Sequence, residues 1–590
     1  MKKNILVIVE SPNKCKKIQS ILGPGYVVKA TVGHFCDLAK GGKNGIGIDI
    51  DNNFKCKYVL DPNKKNVLTE LIDESENCKE ILLATDPDRE GEAIANHIKN
   101  YLSSSGKKMK RISFREITKD AINKALKQAR DIDTNLVNSQ ESRRILDRIV
   151  GFMASPYVMK VFGDKLSAGR TQSAALKLIV DREKEIKSFT PDEYWNVYAT
   201  LSLNNIDSFI VKYNGNKIKN KTDADTLKNK LLNEKFIVTR VTSKPKKEYP
   251  QPPLTTSKIQ QICSKKLSIS ADETMTICQN LFENGMITYH RTDSVKTSEE
   301  AMKMLKEYIK NNYKLPSKEN IYEDKDTAAA AHECIRPTDL KTTVKNGQFL
   351  SQKEKDVYQI IFDSFVASQM EPAVYDTLEV DIISDKSKEP FRVTGKALTY
   401  KGYLEVIGSN SNTKIDIPPL KAKDICTLFG KDPIRCEQKF TQPPSRYNEA
   451  TLVAELEDKR IGRSSTYANI TTKIANRHYV EKKGNTYYPT ELGIKVVNKL
   501  KENFDFVDIN YSALMEEKLD NIEEGKLKQI DMLTDFYKNF KKQLDKAYID
   551  NGGVLCDKCS SPMVERFSTK TNKKFLGCSK WPKCNNIKNI

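Results

Sequence analysis

Short apolar runs alternate with stretches of helical periodicity over the first 130 residues of the chain. KNILVIVE and EILLATD have the continuous apolar character of buried strands, and the segments after them, KCKKIQSILG and EGEAIANHIKNYL, place apolar residues three and four positions apart. This rhythm of strand and helix is typical of βαβ units. It predicts an α/β domain with a mostly parallel sheet over residues 1–130.

The same pattern divides the remaining chain into four further units. Two separated segments have helical spacing, and two others contain short alternating strands. A mostly helical insertion, entered through the proline-rich EYPQPPLTT, interrupts the β-rich part, so we expect the insertion to be a separate body that can swing. A glycine pair precedes a cysteine-rich tail. The predicted boundaries are 131–190 with 441–547 for the helical domain, 191–250 with 373–440 for the β-rich domain, 251–372 for the insertion and 552–590 for the tail.

The charge balance points to a polyanionic partner. The chain of 590 residues has 98 lysines and arginines against 78 aspartates and glutamates, a net charge of +20, which favours binding to nucleic acid. The alternative from charge alone is a soluble enzyme coated with solvated lysines. No apolar stretch approaches the roughly 20 residues that cross a bilayer, and nine of the 13 cysteines are scattered. We therefore expect a soluble cytoplasmic protein with free thiols and no membrane partner.

Carboxylates follow two of the predicted strands. In LLATDPDREGEA, Asp86, Asp88 and Glu90 stand at alternate positions between a strand and a helix, and in an extended segment such residues point to one side. Glu10 ends another apolar strand, and neighbouring strands of a doubly wound sheet end at the same crevice. Because Mg²⁺ prefers carboxylate oxygens, we expect a magnesium site here. The alternative is a helix cap with dipole partners.

ITYHRTDS contains one of the 24 tyrosines of the chain, and most tyrosines are packing residues. A nucleophilic tyrosine needs cationic neighbours, because its pKa is near 10 and a phosphodiester repels anions. Arg291 stands two positions after Tyr289, and Lys14 follows Glu10, so both are candidate partners. A covalent phosphotyrosine would conserve the energy of the broken backbone without ATP, and the sequence has no GxxxxGK[ST] motif.

The tail has the spacing of a metal site. Its C-x2-C-x18-C-x5-C arrangement suits a tetrahedral Zn²⁺ held by thiolates, and disulfides are disfavoured in a reducing compartment. Residues 551–590 have eight basic against two acidic side chains, with aromatic rings between them, which suits single-stranded DNA. A purely structural ribbon or a protein-docking module is the alternative. The cysteines are Cys556, Cys559, Cys578 and Cys584, and the rings are Phe567, Phe575 and Trp581.

Six segments together resemble known families. VIVESPNKCKKI and LATDPDREGEAIA resemble the acidic signatures of the Toprim domain, which occurs in type IA and type II topoisomerases, bacterial-type primases and some nucleases. LSAGRTQSAALKLIVDRE, ENGMITYHRTDS, AAHECIRPTDL and SRYNEATLVAELEDKRIGRSSTYANI resemble the signatures of type IA DNA topoisomerases. The resemblance implies a multidomain toroid of α/β, α and β parts, in which a Toprim domain faces a movable domain that carries the tyrosine. The β-rich domain would then be the hinge that opens the ring.

The resemblance also implies an activity and a set of site residues. The expected reaction is relaxation of negatively supercoiled DNA by cutting one strand, passing the other and resealing, with Mg²⁺ needed more for resealing than for cutting. Tyr289 would attack the strand and hold its 5′ phosphate, Glu10 would assist proton transfer, and Lys14 and Arg291 would contact the phosphate. Glu10, Asp86, Asp88 and Glu90 would hold Mg²⁺. The implied DNA contacts are His34, Arg89, Arg143, Arg144, Asp147, Arg170, Gln172, Ser173, His332, Arg463, Ser465 and Thr466.

The subgroup follows from local detail. HECIRPT, GRSSTYA and a terminal metal ribbon are closer to topoisomerase I than to topoisomerase III, although one ribbon replaces the usual several. His290 stands where the bacterial enzymes usually have methionine, Cys334 replaces alanine and Ser464 replaces proline, so a bacterial or a viral origin stays open. The family implies a monomer. The alternatives are a topoisomerase III-like decatenase, a Toprim nuclease or primase, and a non-catalytic DNA-binding module.

Overall fold

The computed structural model describes most of the chain. One predicted DNA-binding residue, His332, lies outside the described residues, and so does the side chain of Phe567. The described residues are 4–40, 46–163, 166–204, 207–324, 333–559, 562–568, 573–578, 581 and 584–589.

A four-stranded parallel sheet organises the first unit. Its elements are β1 (Ile5–Val9), α1 (Pro12–Leu22), β2 (Tyr26–Ala30), β3 (Cys36–Leu38), β4 (Ile48–Asp49), β5 (Lys55–Cys56), β6 (Tyr58–Leu60), α2 (Lys65–Asn77), β7 (Glu80–Leu83), α3 (Arg89–Tyr101), β8 (Met109–Arg111) and α4 (Lys119–Lys127). The strand order is β2-β1-β7-β8 and every pairing is parallel, which confirms the predicted sheet. Ser11 caps α1 by accepting from the Asn13 amide, and Pro12 suits the first turn because it needs no donor there.

Two long helices follow, α5 (Thr134–Phe162) and α6 (Arg170–Ser188). Asp133 caps α5, and Gly163 ends it with a φ of 75°, a left-handed conformation that glycine adopts without steric cost. Both helices pack in one core with the helices near the end of the chain.

A seven-stranded antiparallel sheet gathers strands from two separated segments. The first segment supplies β9 (Glu193–Leu203), β10 (Asp207–Tyr213), α7 (Lys221–Leu231) and β11 (Phe236–Glu248). The second supplies β12 (Ala373–Ser384), β13 (Pro390–Tyr400), a short helix (Leu404–Ile407), β14 (Ile425–Leu428) and β15 (Ile434–Phe440). The order is β10-β13-β12-β11-β14-β9-β15. Because β11 and β12 pair along nearly their whole length, the insertion between them is attached through two neighbouring strands.

The insertion is mainly helical and shares a core with the first unit. It contains α8 (Thr256–Lys266), α9 (Ala271–Glu283), α10 (Glu299–Asn312) and α11 (Gln352–Ser368). Successive residues of a strand face opposite sides of a sheet. Leu6 and Ile8 of β1 therefore pack on the side of α2 and α3, whereas Val7 and Val9 join a core with Phe282 of the insertion.

The last part of the chain is helical and ends in a small ribbon. Its elements are α12 (Glu449–Asp458), α13 (Tyr467–Asn476), β16 (Val480–Lys483), β17 (Thr486–Pro489), α14 (Glu491–Asn503), α15 (Ile509–Glu523), α16 (Gln529–Asp550), β18 (Met563–Ser568), β19 (Lys573–Cys578) and β20 (Ile587–Asn589). The last three strands form an antiparallel sheet. None of the described helices is long and apolar enough to span a membrane.

Candidate active site and nucleic-acid groove

Tyr289 lies in the loop after α9 and is buried against the first unit. Its amide donates to the Arg115 carbonyl at 2.7 Å, and its hydroxyl donates to Asp88 Oδ2 at 2.7 Å. The ring packs edge-to-face on Phe282, with 5.2 Å between centroids. Burial, and then the negative charge of Asp88, raise the pKa of Tyr289 well above its ordinary value. The hydroxyl therefore needs a proton acceptor to become a nucleophile, and Asp88 is in hydrogen-bond contact with it.

Asp88 has two structural roles at once. Its Oδ1 atom accepts from the Gly91 amide at 2.9 Å and caps α3, while Oδ2 receives the tyrosine. Arg291 Nη1 lies 3.7 Å from the same Oδ2. A side chain at Gly91 would meet the Asp86 carbonyl oxygen at 2.1 Å, so only glycine fits this close turn. The cap interpretation therefore holds for Asp88, and its role in an active site stays a prediction.

Lys14 and Asp86 form a buried ion pair beside the tyrosine. The ammonium group bonds Asp86 Oδ1, with side chains only 1% and 5% exposed, and lies 5.0 Å from the centre of the Phe282 ring. Burial, followed by the negative charge of Asp86, raises the pKa of the nearby Glu10 to about 7. A carboxyl group with this pKa is partly protonated at neutral pH and can exchange a proton.

Glu90 faces a different direction from the other acids. It lies in the first turn of α3, so the prediction that the three acids alternate along an extended segment is wrong beyond Asp88. Its carboxylate accepts from Gln140 Nε2 at 2.8 Å and lies 3.6 Å from His34 Nε2. Although burial opposes ionisation, the contact with His34 and then the Arg143 charge lower the pKa of Glu90 to about 2. Glu90 is therefore a fixed negative charge.

Glu10, Asp86 and Asp88, the acids near the tyrosine, could bind a hard cation. Asp86 and Asp88 both raise the pKa of Glu10, which shows that these carboxylates repel one another. A divalent ion would relieve this repulsion, and Lys14 supplies positive charge at Asp86 in this structure. Among the described residues, however, the four cysteines of the tail are the only group of three or more potential ligands whose ligand atoms all lie within 4.8 Å of one another.

A cavity of about 590 Å³ lies between the first unit and the helical domain, and Arg291, two residues after Tyr289, lines it. Most of the predicted DNA contacts line it, although far apart in the chain. Arg89, Ser173 and Arg463 do not line it, and Ser173 Oγ instead accepts from the Gly169 amide at 3.4 Å. The predicted residues that line it are His34, Glu90, Arg143, Arg144, Asp147, Arg170, Gln172, Arg291, Ser465 and Thr466.

The groove contains partners that sequence patterns did not predict. Asp37 pairs with Arg144 and lies 3.2 Å from Arg148, and Arg477 donates to Gln172 at 2.5 Å. None of these partners stands in a recognisable motif. The acidic side chains of α15 form a further unpredicted group, and their spacing of four and three residues is the one available sequence signal.

The tail forms the predicted four-cysteine site. The Sγ atoms of Cys556 and Cys584 are 3.6 Å apart, and those of Cys559 and Cys578 are 3.4 Å apart. Tetrahedral thiolates around Zn²⁺ are separated by about 3.8 Å, so the site fits the metal. Asn586 donates to Cys556 Sγ at 3.2 Å, an outer contact of the kind that orients zinc ligands.

Comparisons with known proteins agree with this geometry. A family model described as DNA topoisomerase matches residues 131–534, more than half of the chain. The chain belongs to the bacterial-type DNA topoisomerase I family. The Toprim domain model matches residues 5–117 of this topoisomerase, and the model for the topoisomerase DNA binding C4 zinc finger matches residues 553–590. Family membership makes the chain an isomerase rather than a Toprim nuclease, a primase or a non-catalytic module.

A solved structure resembles this topoisomerase over nearly its whole length. Full-length topoisomerase I from Thermotoga maritima is 33% identical, and the alignment covers 99% of this chain and 97% of that chain with a TM-score of 0.81. The predicted fold class, a multidomain type IA topoisomerase with a C-terminal zinc ribbon, is confirmed.

Proposed function

We propose that this topoisomerase relaxes negatively supercoiled DNA without ATP, through a 5′-phosphotyrosine formed on Tyr289. The observation that carries the proposal is the hydrogen bond from the Tyr289 hydroxyl to Asp88, in a site that also contains Lys14, Arg291 and Glu10. These groups come from two units of the chain, and a nucleophile, a proton acceptor, cations and a proton donor are what transesterification at phosphorus requires.

The cleavage step assigns a task to each group. The Tyr289 oxygen forms a bond to phosphorus as its proton passes to Asp88 Oδ2, and the bond from phosphorus to the 3′ oxygen breaks. Protonated Glu10 supplies a proton to that leaving oxygen, and Arg291 stabilises the charge on the phosphate. Resealing reverses these transfers, so no external energy source is needed.

A metal ion would add positive charge beside the same phosphate when bound. We propose that Glu10, Asp86 and Asp88 would hold Mg²⁺. Glu90 would join them only after turning away from His34 and Gln140, which it contacts in this structure. Lys14 already neutralises part of the acidic group, which fits a metal needed more for resealing than for cutting.

Strand passage requires the insertion to leave the Toprim unit. The interface to be broken contains the Tyr289–Asp88 hydrogen bond, a 2.8 Å bond from Asn13 to Glu283, and a 3.0 Å ion pair between Arg336 and Glu116. We propose that the β-rich hinge, residues 191–250 and 373–440, carries the insertion through strands β11 and β12 during this opening. The enzyme would act as a monomer, because each catalytic group comes from one chain.

The groove and the ribbon would hold single-stranded DNA. The groove provides arginines for phosphates, and the ribbon provides the exposed ring of Trp581, with Arg566 5.5 Å from the ring centre. The metal of the ribbon would be Zn²⁺. Arg463, which does not line the groove and pairs with Asp520, would support the groove from behind.

The test is a relaxation assay on negatively supercoiled plasmid with Mg²⁺ and without ATP. Wild type and a Tyr308→Phe control, which removes a hydroxyl from α10 of the same insertion, should relax the plasmid and form a covalent complex with a 5′ phosphate. Tyr289→Phe should do neither. Nicking by Tyr289→Phe would refute the tyrosine mechanism, and unlinking of gapped circles that outpaces relaxation would favour a topoisomerase III-like decatenase.

A further inference from the structure

A fully buried carboxylate lies beneath the groove. Glu516 of α15 is 0% exposed, and its Oε1 atom lies 2.8 Å from Arg170 Nη1 and 4.0 Å from Arg143 Nη2. The side chain of Arg170 is also 0% exposed and that of Arg143 is 6% exposed. Burial opposes ionisation, but Arg143 and then Arg170 hold the pKa of Glu516 below its ordinary value. Glu516 is therefore an ionised counter-ion shared by two arginines of different helices.

The same face of α15 pairs with two more arginines. One turn after Glu516, Asp520 forms an ion pair with Arg463 and lies 3.9 Å from Arg89 Nη1. One further turn on, Glu523 also lies 3.9 Å from Arg89 Nη1. Acids spaced by four and three residues share one face of a helix. This acidic face thus joins the arginines of the helical domain to Arg89, the neighbour of Asp88.

The position of Glu516 suits a residue that orients neighbouring arginines better than one that stabilises the fold. Buried ion pairs rarely stabilise a fold more than apolar residues of similar volume would, because desolvation offsets the attraction. Arg143 Nη2 also lies 3.3 Å from Thr466 Oγ1, so the arginine is held between α15 and the loop before α13. The side chain of Arg170 lines the groove although it is only 1% exposed, so the groups packed around it set its position. Both arginines therefore act from positions that Glu516 fixes.

We propose that Glu516 is a positioning residue for strand cleavage. It fixes the positions of Arg143 and Arg170, and these arginines in turn shape the floor of the groove. A bound strand then presents one phosphate to Tyr289. The inference rests on the proposed function, because it assigns Glu516 a role in that cleavage. A strand that shifts by about 1 Å from its reactive position reacts up to about a hundredfold more slowly, so a small movement of the arginines has a measurable consequence.

The test is single-turnover cleavage of a 5′-labelled single-stranded oligonucleotide by Glu516→Gln, with the dissociation constant measured separately by fluorescence anisotropy. Glu517→Gln is the matched control, because it makes the same change at an exposed position of the same helix. At saturating oligonucleotide, we expect Glu516→Gln to form the covalent complex at least about tenfold more slowly. The dissociation constant should change less than about threefold, because the arginines keep their charge. Glu517→Gln should match wild type in both measurements.

Each outcome decides the proposal. Cleavage by Glu516→Gln at the wild-type rate overturns it, and so does weaker binding with an unchanged rate at saturation. If Glu516→Gln does not fold, Glu516→Asp decides, since it keeps the charge but shortens the side chain: a rate below wild type supports positioning, and a wild-type rate overturns it. If neither wild type nor Glu517→Gln forms a covalent complex, the proposed function is refuted, and this inference is refuted with it.

Discussion

The Tyr289 hydroxyl donates a 2.7 Å hydrogen bond to Asp88, although 201 residues separate the two in sequence. The acceptor belongs to the Toprim unit and the donor to the helical insertion, so the bond exists only while the two units are in contact. Because the same carboxylate caps α3, its position is fixed before the tyrosine arrives. Under the proposed mechanism, closure of the enzyme and assembly of the nucleophile are therefore one event.

Replacing Asp88 by Asn keeps its role as a helix cap and removes its role as a proton acceptor. Asparagine caps a helix about as well as aspartate, so the stability should change by less than about 1 kcal/mol. The amide cannot take the tyrosine proton, and we expect cleavage of single-stranded DNA without added divalent ions to slow by about a hundredfold. Asp133→Asn, at the cap of α5, is the control and should keep the wild-type rate. An Asp88→Asn variant as fast as wild type would exclude Asp88 as the acceptor.

Cleavage should also depend on the protonation of Glu10. Its pKa is raised to about 7, by burial first and then by Asp86, and only the protonated form can donate to the leaving oxygen. The protonated fraction falls as pH rises above 7, so the single-turnover rate without divalent ions should decrease about tenfold per pH unit there. Glu10→Gln should be slow and lose this dependence. A wild-type rate that stays flat between about pH 6 and 9 would contradict the assignment.

The parallel sheet and the four-cysteine cluster could be predicted from the sequence, and Tyr289 could be singled out as a candidate, because each has a local signature. Strand periodicity, ITYHRTDS and the cysteine spacing are visible within short windows. The geometry of the acids could not be predicted in this way. The helix begins at Arg89, so Glu90 contacts His34, whereas Asp88 contacts Tyr289. Glu516 was missed for a related reason. Its proposed role depends on Arg143 and Arg170, which tertiary packing brings next to it. The spacing of residues along the sequence does not indicate these contacts.

Removal of zinc should affect the ribbon and leave the catalytic core intact. Four thiolates supply the ribbon's metal site, and its small core consists of three cysteine and methionine side chains, so the unit depends on the ion. We expect a chelator to expose the ribbon to proteolysis after Gly553, while cleavage of a short oligonucleotide stays within about twofold of the untreated enzyme. Cys584→Ser should reproduce both effects. Loss of oligonucleotide cleavage on chelation would place the ribbon in the active site instead.

His290 directly follows Tyr289, the proposed nucleophile, and it is a departure of this segment from the signature that the segment resembles. Its side chain is buried, and its Nδ1 atom has no hydrogen-bond partner among the described residues. Burial, and then the charges of Arg291 and Lys14, lower the pKa of His290 well below its ordinary value of 6.5. The ring is therefore neutral in the folded enzyme, and a buried unpaired nitrogen costs about 1–3 kcal/mol.

Substitution of His290 by Met should therefore stabilise the protein by about 1 kcal/mol at pH 7, because a flexible apolar side chain fills the site without an unsatisfied atom. The sign of the pH dependence follows from the lowered pKa. The unfolded histidine takes up a proton below pH 6.5 and the folded one does not, so wild type loses stability as pH falls through that value. His290→Met removes this loss, and its advantage should grow by about 1.4 kcal/mol per pH unit below that range. Denaturant unfolding of both proteins at about pH 7 and 5.5 measures the difference, and an advantage that shrinks toward low pH would show that His290 is charged or paired in the folded state.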